Sequence, residues 1–348
     1  MSLVHMSGFE GALKNREQKD AGVTFVANGR TGMCAQFAGA SPANGYTIAL
    51  DPQQSRVLFG FAIKFLADAS MPQSPVINLT GNEGEEFRIT FQDNGQITVT
   101  RVGMYGTVAN LIIAPATFQK EQWVYVEADV KLHSVEGLFE LRVNGTKVGE
   151  FLGDTQANNS GPQAYLNTIK FNGLSAAWAG TMQLDDLYIL DPTVDGTATQ
   201  GRAFQNFLGM PRVEALVPVA GVTNQWAGSD GDSVDNHLLV DERPPSETDY
   251  VEGTTTGQRE LYDFSAPVLN GEILAVDVSA YAASPDGGVN PIKTVRQAAS
   301  GTTQVGPGFV PGSSYKYQTD EAPKALDPDG NPWTKALLDS TQFGVEVG

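Results

Sequence analysis

The chain has 348 residues, with 40 acidic against 22 basic side chains and a formal net charge of −18. The acidity is spread over both halves and no basic stripe appears, which excludes a nucleic-acid backbone and an anionic membrane surface as expected partners. The single cysteine, Cys34, excludes an intrachain disulfide and a cysteine-built zinc site.

A content of 38 Gly and 19 Pro beside 41% hydrophobic residues predicts many short elements joined by turns, which favours β structure. Met1–Met6 lacks a basic stretch followed by a long apolar core, so no secretory signal is expected and synthesis in a cytoplasm follows. No apolar run is long enough to span a bilayer, so no membrane insertion is expected.

Arg56–Phe65 is apolar enough for a central strand. Phe87, Ile89 and Phe91 share one face of the next clear strand. Asp93-Asn94-Gly95 then makes a tight turn, and Ile97 and Val99 return inward. Val124, Val126, Ala128 and Val130 alternate with Tyr125, Glu127, Asp129 and Lys131. A second hairpin turns at Asn144-Gly145, with Phe139, Leu141 and Val143 inward. Thr181–Asp191 closes the series. These strands predict two packed antiparallel sheets.

Thr193–Gly201 is small, polar and Gly-bearing, as linkers are. Beyond it, Arg212–Val219, Asn236–Val240, Gln258–Phe264 and Glu272–Tyr281 read as strands. Trp333–Asp339 reads as a helical turn and Gln342–Val347 as a closing strand. The expected organisation is a β-sandwich over 1–192, a linker over 193–211 and a β-rich C-terminal domain over 212–348, read as a second β-sandwich.

Several short motifs occur in order: Phe9-Glu10-Gly11, Gly29-Arg30-Thr31-Gly32, the Phe59–Phe65 strand, Gln122-Trp123, Asn144-Gly145, Gly153-Asp154-Thr155 and Leu184–Tyr188. Together they resemble the concanavalin A-like, laminin-G-like jelly roll, over about residues 8–191. The segment Phe207–Glu214, then Gln225-Trp226, Thr248–Val251, Trp333-Thr334 and Phe343–Glu346, extend the likeness to a group of tailed-bacteriophage virion proteins. That resemblance implies an all-β chain located in the virion, most readily a minor tail, tail-fibre or tip protein. Its partners would be other virion proteins and copies of itself. A capsid-surface decoration protein and a lectin-type module for host surface glycan are the alternatives it leaves.

Asp185 and Asp186 are adjacent, so strand alternation sends them to opposite faces, where they do not converge as a catalytic pair. One is expected to accept backbone N–H groups from a turn and the other to meet solvent. Calcium is the rival reading, because it takes six to eight oxygen ligands and loop carboxylates of laminin-G-like domains sometimes supply them. Asp230, Asp232 and Asp235 offer the same donors, but without the later Glu of an EF-hand they read as a solvated turn. Trp178 and Trp226, in small-residue loops, are the candidates for stacking on a sugar; Trp123 reads as core. Glu127 and Asp129 lie on one face of a strand as glycosidase acids would, but read as solvated. With three scattered histidines, no nucleophile motif and no phosphate loop, the expectation is that the protein is not an enzyme, with no cofactor beyond possible calcium.

Overall fold

The structure, a computed structural model, describes residues 1–348 apart from 12, 39–44, 72–74, 83, 104–107, 157–163, 173–179, 198–201, 286, 288–289 and 320–321. It is an all-β molecule of two units whose segments interleave along the chain. Unit one comprises Met1–Phe9, Arg16–Asp195 and Phe204–Val213; unit two comprises Glu10–Asn15, Gly196–Ala203 and Glu214–Gly348. The stretch expected as one linker, 193–211, is thus shared out, and its later part is docked on unit one.

Unit one is a jelly-roll β-sandwich. Its strands are β1 (Ser2–Ser7), β2 (Glu17–Lys19), β3 (Val23–Ala27), β4 (Met33–Ala38), β5 (Gly45–Gln54), β6 (Arg56–Phe65), β7 (Pro75–Gly81) and β8 (Gly84–Phe91). They continue with β9 (Ile97–Val102), β10 (Val108–Ala114), β11 (Val124–Lys131), β12 (Gly137–Val143), β13 (Thr146–Gly153), β14 (Leu166–Asn172) and β15 (Thr181–Asp191). One sheet runs β13-β12-β11-β6-β15-β4-β3, with β1 also paired to β15, and the other runs β10-β9-β8-β7-β14-β5-β2.

The core lies between these sheets. Phe61 meets Phe171 edge-on at 5.0 Å, Phe87 meets Phe139 at 5.1 Å, and Phe65 meets Phe91 at 5.2 Å. Each pair joins one sheet to the other, and large rings buried this way supply most of the driving force. The Asn144-Gly145 turn has φ of 48° and 77°, the paired left-handed geometry that matches strand twist in a two-residue hairpin.

Unit two is built on a five-stranded antiparallel sheet, with two separate two-stranded ribbons. The sheet order is β16 (Pro218–Asn224), β19 (Arg259–Phe264), β24 (Gln342–Val347), β21 (Ile292–Gln297), β22 (Thr303–Val305). The ribbons pair β17 (Ala227–Gly228) with β18 (Val251–Glu252) and β20 (Ala280–Ala282) with β23 (Lys316–Gln318). The helix α1 (Lys335–Ser340) starts where the Thr334 side chain accepts the Leu337 N–H. Trp333, Leu338 and Phe343 form a buried cluster, with Leu216, Phe264 and Val276 against it.

Three expected strands of this half differ. Arg212–Val219 joins a ladder only from Pro218, as the start of β16, because Val213 N–H goes to the Asp186 carboxylate and Val217 N–H to the Ser265 hydroxyl. Asn236–Leu239 is a short 3-10 turn, because Asp235 takes φ 56° and the Asn236 side chain donates to the Trp226 carbonyl instead of joining a ladder. In Glu272–Tyr281 the end pairs as β20 and Val276 makes a single bridge with Lys324, while Ile273, Val276 and Val278 pack on the Trp333 cluster.

Candidate functional site

The outer face of the large sheet of unit one carries a covered polar cluster. On β11, Val126 and Ala128 register with Phe61 and Phe59, which point into the sandwich, so Tyr125, Glu127 and Asp129 point outward. Yet Tyr125, Glu127 and Asp129 are 2%, 1% and 5% exposed. The expectation that Glu127 and Asp129 are solvated is therefore corrected. Arg56 grips Asp129 through two bonds of 2.9 and 2.6 Å, and the strap Phe204–Val213 lies over the rest.

The strap is held by its own backbone. Leu208 N–H donates to the Tyr188 hydroxyl at 3.2 Å, Gly209 N–H to Glu127 Oε1 at 3.0 Å, and Val213 N–H to Asp186 Oδ1 at 2.8 Å. The Arg30 guanidinium donates to the Pro211 carbonyl at 3.0 Å, and the Arg142 guanidinium lies 4.4 Å from the centre of the Phe207 ring. Below, Tyr188 donates to Glu127 at 2.5 Å and Tyr125 to the Asp186 carbonyl at 2.8 Å. Gly60 registers with both Glu127 and Tyr188, and a Cβ there would collide with the Tyr188 ring. A glycine amid phenylalanines thus opens the floor across which Tyr188 reaches Glu127.

Asp185 and Asp186 do not occupy opposite environments. Between Asp185 and Tyr188 the pairing of β15 with β6 slips by one residue, and Asp186 takes φ 49°. This is a β-bulge, and it swings both carboxylates toward the 28–32 loop. At the same point the other neighbour of β15 changes from β4 to β1, leaving a gap that this loop fills. Asp185 accepts the N–H groups of Arg30 at 2.6 Å, Thr31 at 3.1 Å and Asp186 at 2.7 Å. Asp186 accepts the Arg30 guanidinium at 2.8 Å as well as Val213 N–H. Neither carboxylate meets solvent, so the expectation of one solvated acid is corrected.

Burial, then the neighbouring Asp186 charge, pushes the Asp185 carboxyl up; burial also raises Asp186, against the pull of Val213 N–H and Arg30. Burial raises Glu127, against the pull of the Tyr188 and Gly209 hydrogen bonds. Among the described residues Glu127 Oε2 has no hydrogen-bond partner. Glu127→Gln removes a buried charge while keeping an acceptor, and is expected to leave stability within about 1 kcal/mol of the parent. Glu127→Ala orphans Gly209 N–H and the Tyr188 hydroxyl and is expected to cost about 2 kcal/mol. Urea unfolding of both variants checks the difference.

The remaining candidates are dispersed. Asp230, Asp232 and Asp235 are exposed turn residues: Asp230 Oδ1 accepts Asp232 N–H at 3.3 Å, and Asp232 Oδ1 accepts Val234 N–H at 2.7 Å. Among the described residues, no group of three or more His, Cys, Asp or Glu is placed to hold a metal ion. Trp226 is not an exposed stacking surface. It is 6% exposed, its indole N–H donates to the Gln258 carbonyl, its backbone N–H is held by Glu260 Oε1 at 2.6 Å, and Gly253 packs on its ring. Trp178 lies outside the described residues. Trp123 is half-buried beneath the Lys64 ammonium at 5.1 Å, rather than in the core. Among the described residues, no helix is long and apolar enough to cross a membrane.

No family model matches the chain, and no curated protein matches it. Solved structures do. An endo-β-1,4-glucuronan lyase from the fungus Trichoderma reesei aligns at 14% identity and a TM-score of 0.37, over 55% of this chain and 94% of its own. The alginate lyase Aly36B aligns at 11% identity and a TM-score of 0.41, over 55% of this chain and 98% of its own. The alginate lyase vAL-1 from Chlorella virus aligns at 11% identity and a TM-score of 0.36, over 50% of this chain and 89% of its own. The expectation that the chain is not an enzyme is corrected here, since the structures it matches include lyases.

Proposed function

We propose that the protein is a structural component of a bacteriophage virion, in the tail, its fibre or its tip, working through contacts with other virion proteins. The observation that carries this reading is where the motifs of the phage resemblance fall. Phe207–Glu214 contains most of the strap residues clamped over Glu127, Asp186 and Tyr188. Gln225-Trp226 is fixed by Gln258, Arg259, Glu260 and Asn236. Trp333 and Phe343 belong to the buried cluster of unit two, and Ser229 N–H donates to the Tyr250 carbonyl while Tyr250 N–H donates to the Ser229 hydroxyl.

The motifs are therefore the joints that give each unit its shape, and a likeness in joints supports a likeness in the blocks they build. Stiff blocks of sheet with loops at their rims suit repeated assembly contacts. The test is the abundance of the protein in purified particles separated into heads and tails. A few copies, all travelling with tails, are expected. Hundreds of copies on tailless heads, or absence from particles, would overturn the tail assignment.

A further inference from the structure

Unit two carries a surface group of aromatic rings and carboxylates that the preceding reading leaves unused. The β20–β23 ribbon pairs Tyr281 with Tyr317, and Tyr315, two residues before Tyr317, stands on the same face. Tyr281 stacks on Tyr315 at 5.3 Å and 23° and tilts against Tyr317 at 5.2 Å. The Tyr281 hydroxyl donates to Glu247 Oε1 at 3.0 Å. Glu247, Tyr250 and Glu252 lie on one short stretch of chain, and burial, then the charges of Tyr250, Glu247 and Glu252, raises the Tyr315 phenol. Glu247, Glu252 and Tyr250 are exposed, and Tyr281 and Tyr315 are half-buried.

The charge in this group is one-sided. Among the described residues neither Glu247 nor Glu252 forms an ion pair. Arg243, which acts on Tyr317, is engaged by Glu10 at 3.5 Å and by the Ala215 carbonyl at 2.8 Å, and Lys14, bridged to Tyr317, is paired with Asp277 at 2.7 Å. Lys316 falls on the opposite face of the ribbon by alternation. Tyrosine rings present negative faces, and two carboxylates without a cationic partner among the described residues deepen the same potential. A guanidinium or ammonium group satisfies both at once, whereas an uronate or phosphate would be repelled and a neutral sugar would gain nothing from the charge.

We propose that Tyr250, Tyr281 and Tyr315, with Glu247 and Glu252, form a receiving site for an arginine or lysine side chain of a partner protein. It rests on the assembly reading in naming the partner's chemistry. Its test uses the isolated full chain, so the two can fail separately. N-acetyl-arginine methylamide and tetramethylammonium are titrated against the protein by ligand-observed magnetic resonance, beside the neutral N-acetyl-glutamine methylamide and a neutral oligosaccharide. Millimolar binding of both cations is expected, weakening with added salt. Tyr315→Ala is expected to weaken it about fivefold, as for one exposed cation–ring contact. Glu252→Gln changes an exposed side chain without threatening the fold, and is expected to weaken it similarly. Equal binding of the neutral analogue, sugar binding that depends on Tyr315, or cation binding unchanged in both variants would overturn the proposal.

Discussion

Arg30→Ala is expected to destabilise unit one by about 3–5 kcal/mol at neutral pH, because it strips buried acids of their cation. The Arg30 side chain is 15% exposed and that of Asp186 0%, so water does little to replace the lost charge. The variant also loses the bond to the Pro211 carbonyl and hence part of the hold on the strap. The deficit should depend on pH. Asp185 and Asp186 are both raised by burial, so each binds its proton more tightly folded than unfolded. Such a group contributes stability that is complete below its unfolded pKa and is lost as pH rises through its folded one. Removing the guanidinium raises the Asp186 carboxyl further. The deficit of Arg30→Ala relative to the parent should therefore be largest near about pH 8 and shrink toward about pH 5. Urea unfolding at the two pH values decides the matter; an equal deficit at both would show that lost packing, not lost charge, is the cause.

The second large effect is expected at Gly344. It lies in β24, the middle strand of the five-stranded sheet, paired with Leu261 on one side and Val295 on the other. A Cβ at this position would drive into the backbone carbonyl of Glu260. Backbone in the centre of a sheet has nowhere to move without parting the ladder, so Gly344→Ala should cost about 3 kcal/mol or more. Its neighbour Phe343 packs on Trp333, so the loss should be read in unit two. Tryptophan fluorescence during unfolding is the measurement, with Trp123 and Trp178 replaced by Phe so that Trp226 and Trp333, both in that unit, alone report. Gly312→Ala, where a Cβ would meet open space, is the control. A Gly344→Ala protein that unfolds with the parent would refute the argument.

Unit one was largely legible because its strands alternate cleanly and its hairpins turn on Asn-Gly. The bulge was legible too, in a signal of phase. Met182 and Leu184 point inward at even positions, whereas Leu187 and Ile189 do so at odd ones, so one residue must be extra between them. Treating Asp185 and Asp186 as a plain strand pair misses this slip. The burial of Glu127 was harder to foresee, because it depends on a segment some eighty residues later. Its traces are Gly60 inside a phenylalanine-rich strand and the apolar Phe207-Leu-Gly-Met within a stretch otherwise polar. Unit two was less legible because its apolar side chains come from irregular backbone. Ile273 and Val276 reach the core without being on strands, and no periodicity reports that.

The strap also bears on how such a chain is inherited. A splice between modules works only where it parts two self-sufficient bodies. The composition of residues 193–201 invites a junction there, but a donor sequence ending at that point would carry Glu127, Asp186 and Tyr188 without the backbone amides that satisfy them. Phe204–Val213 must therefore travel with the sandwich it covers, and unit two in turn needs Glu10–Asn15, where Glu10 engages Arg243 and Lys14 pairs with Asp277.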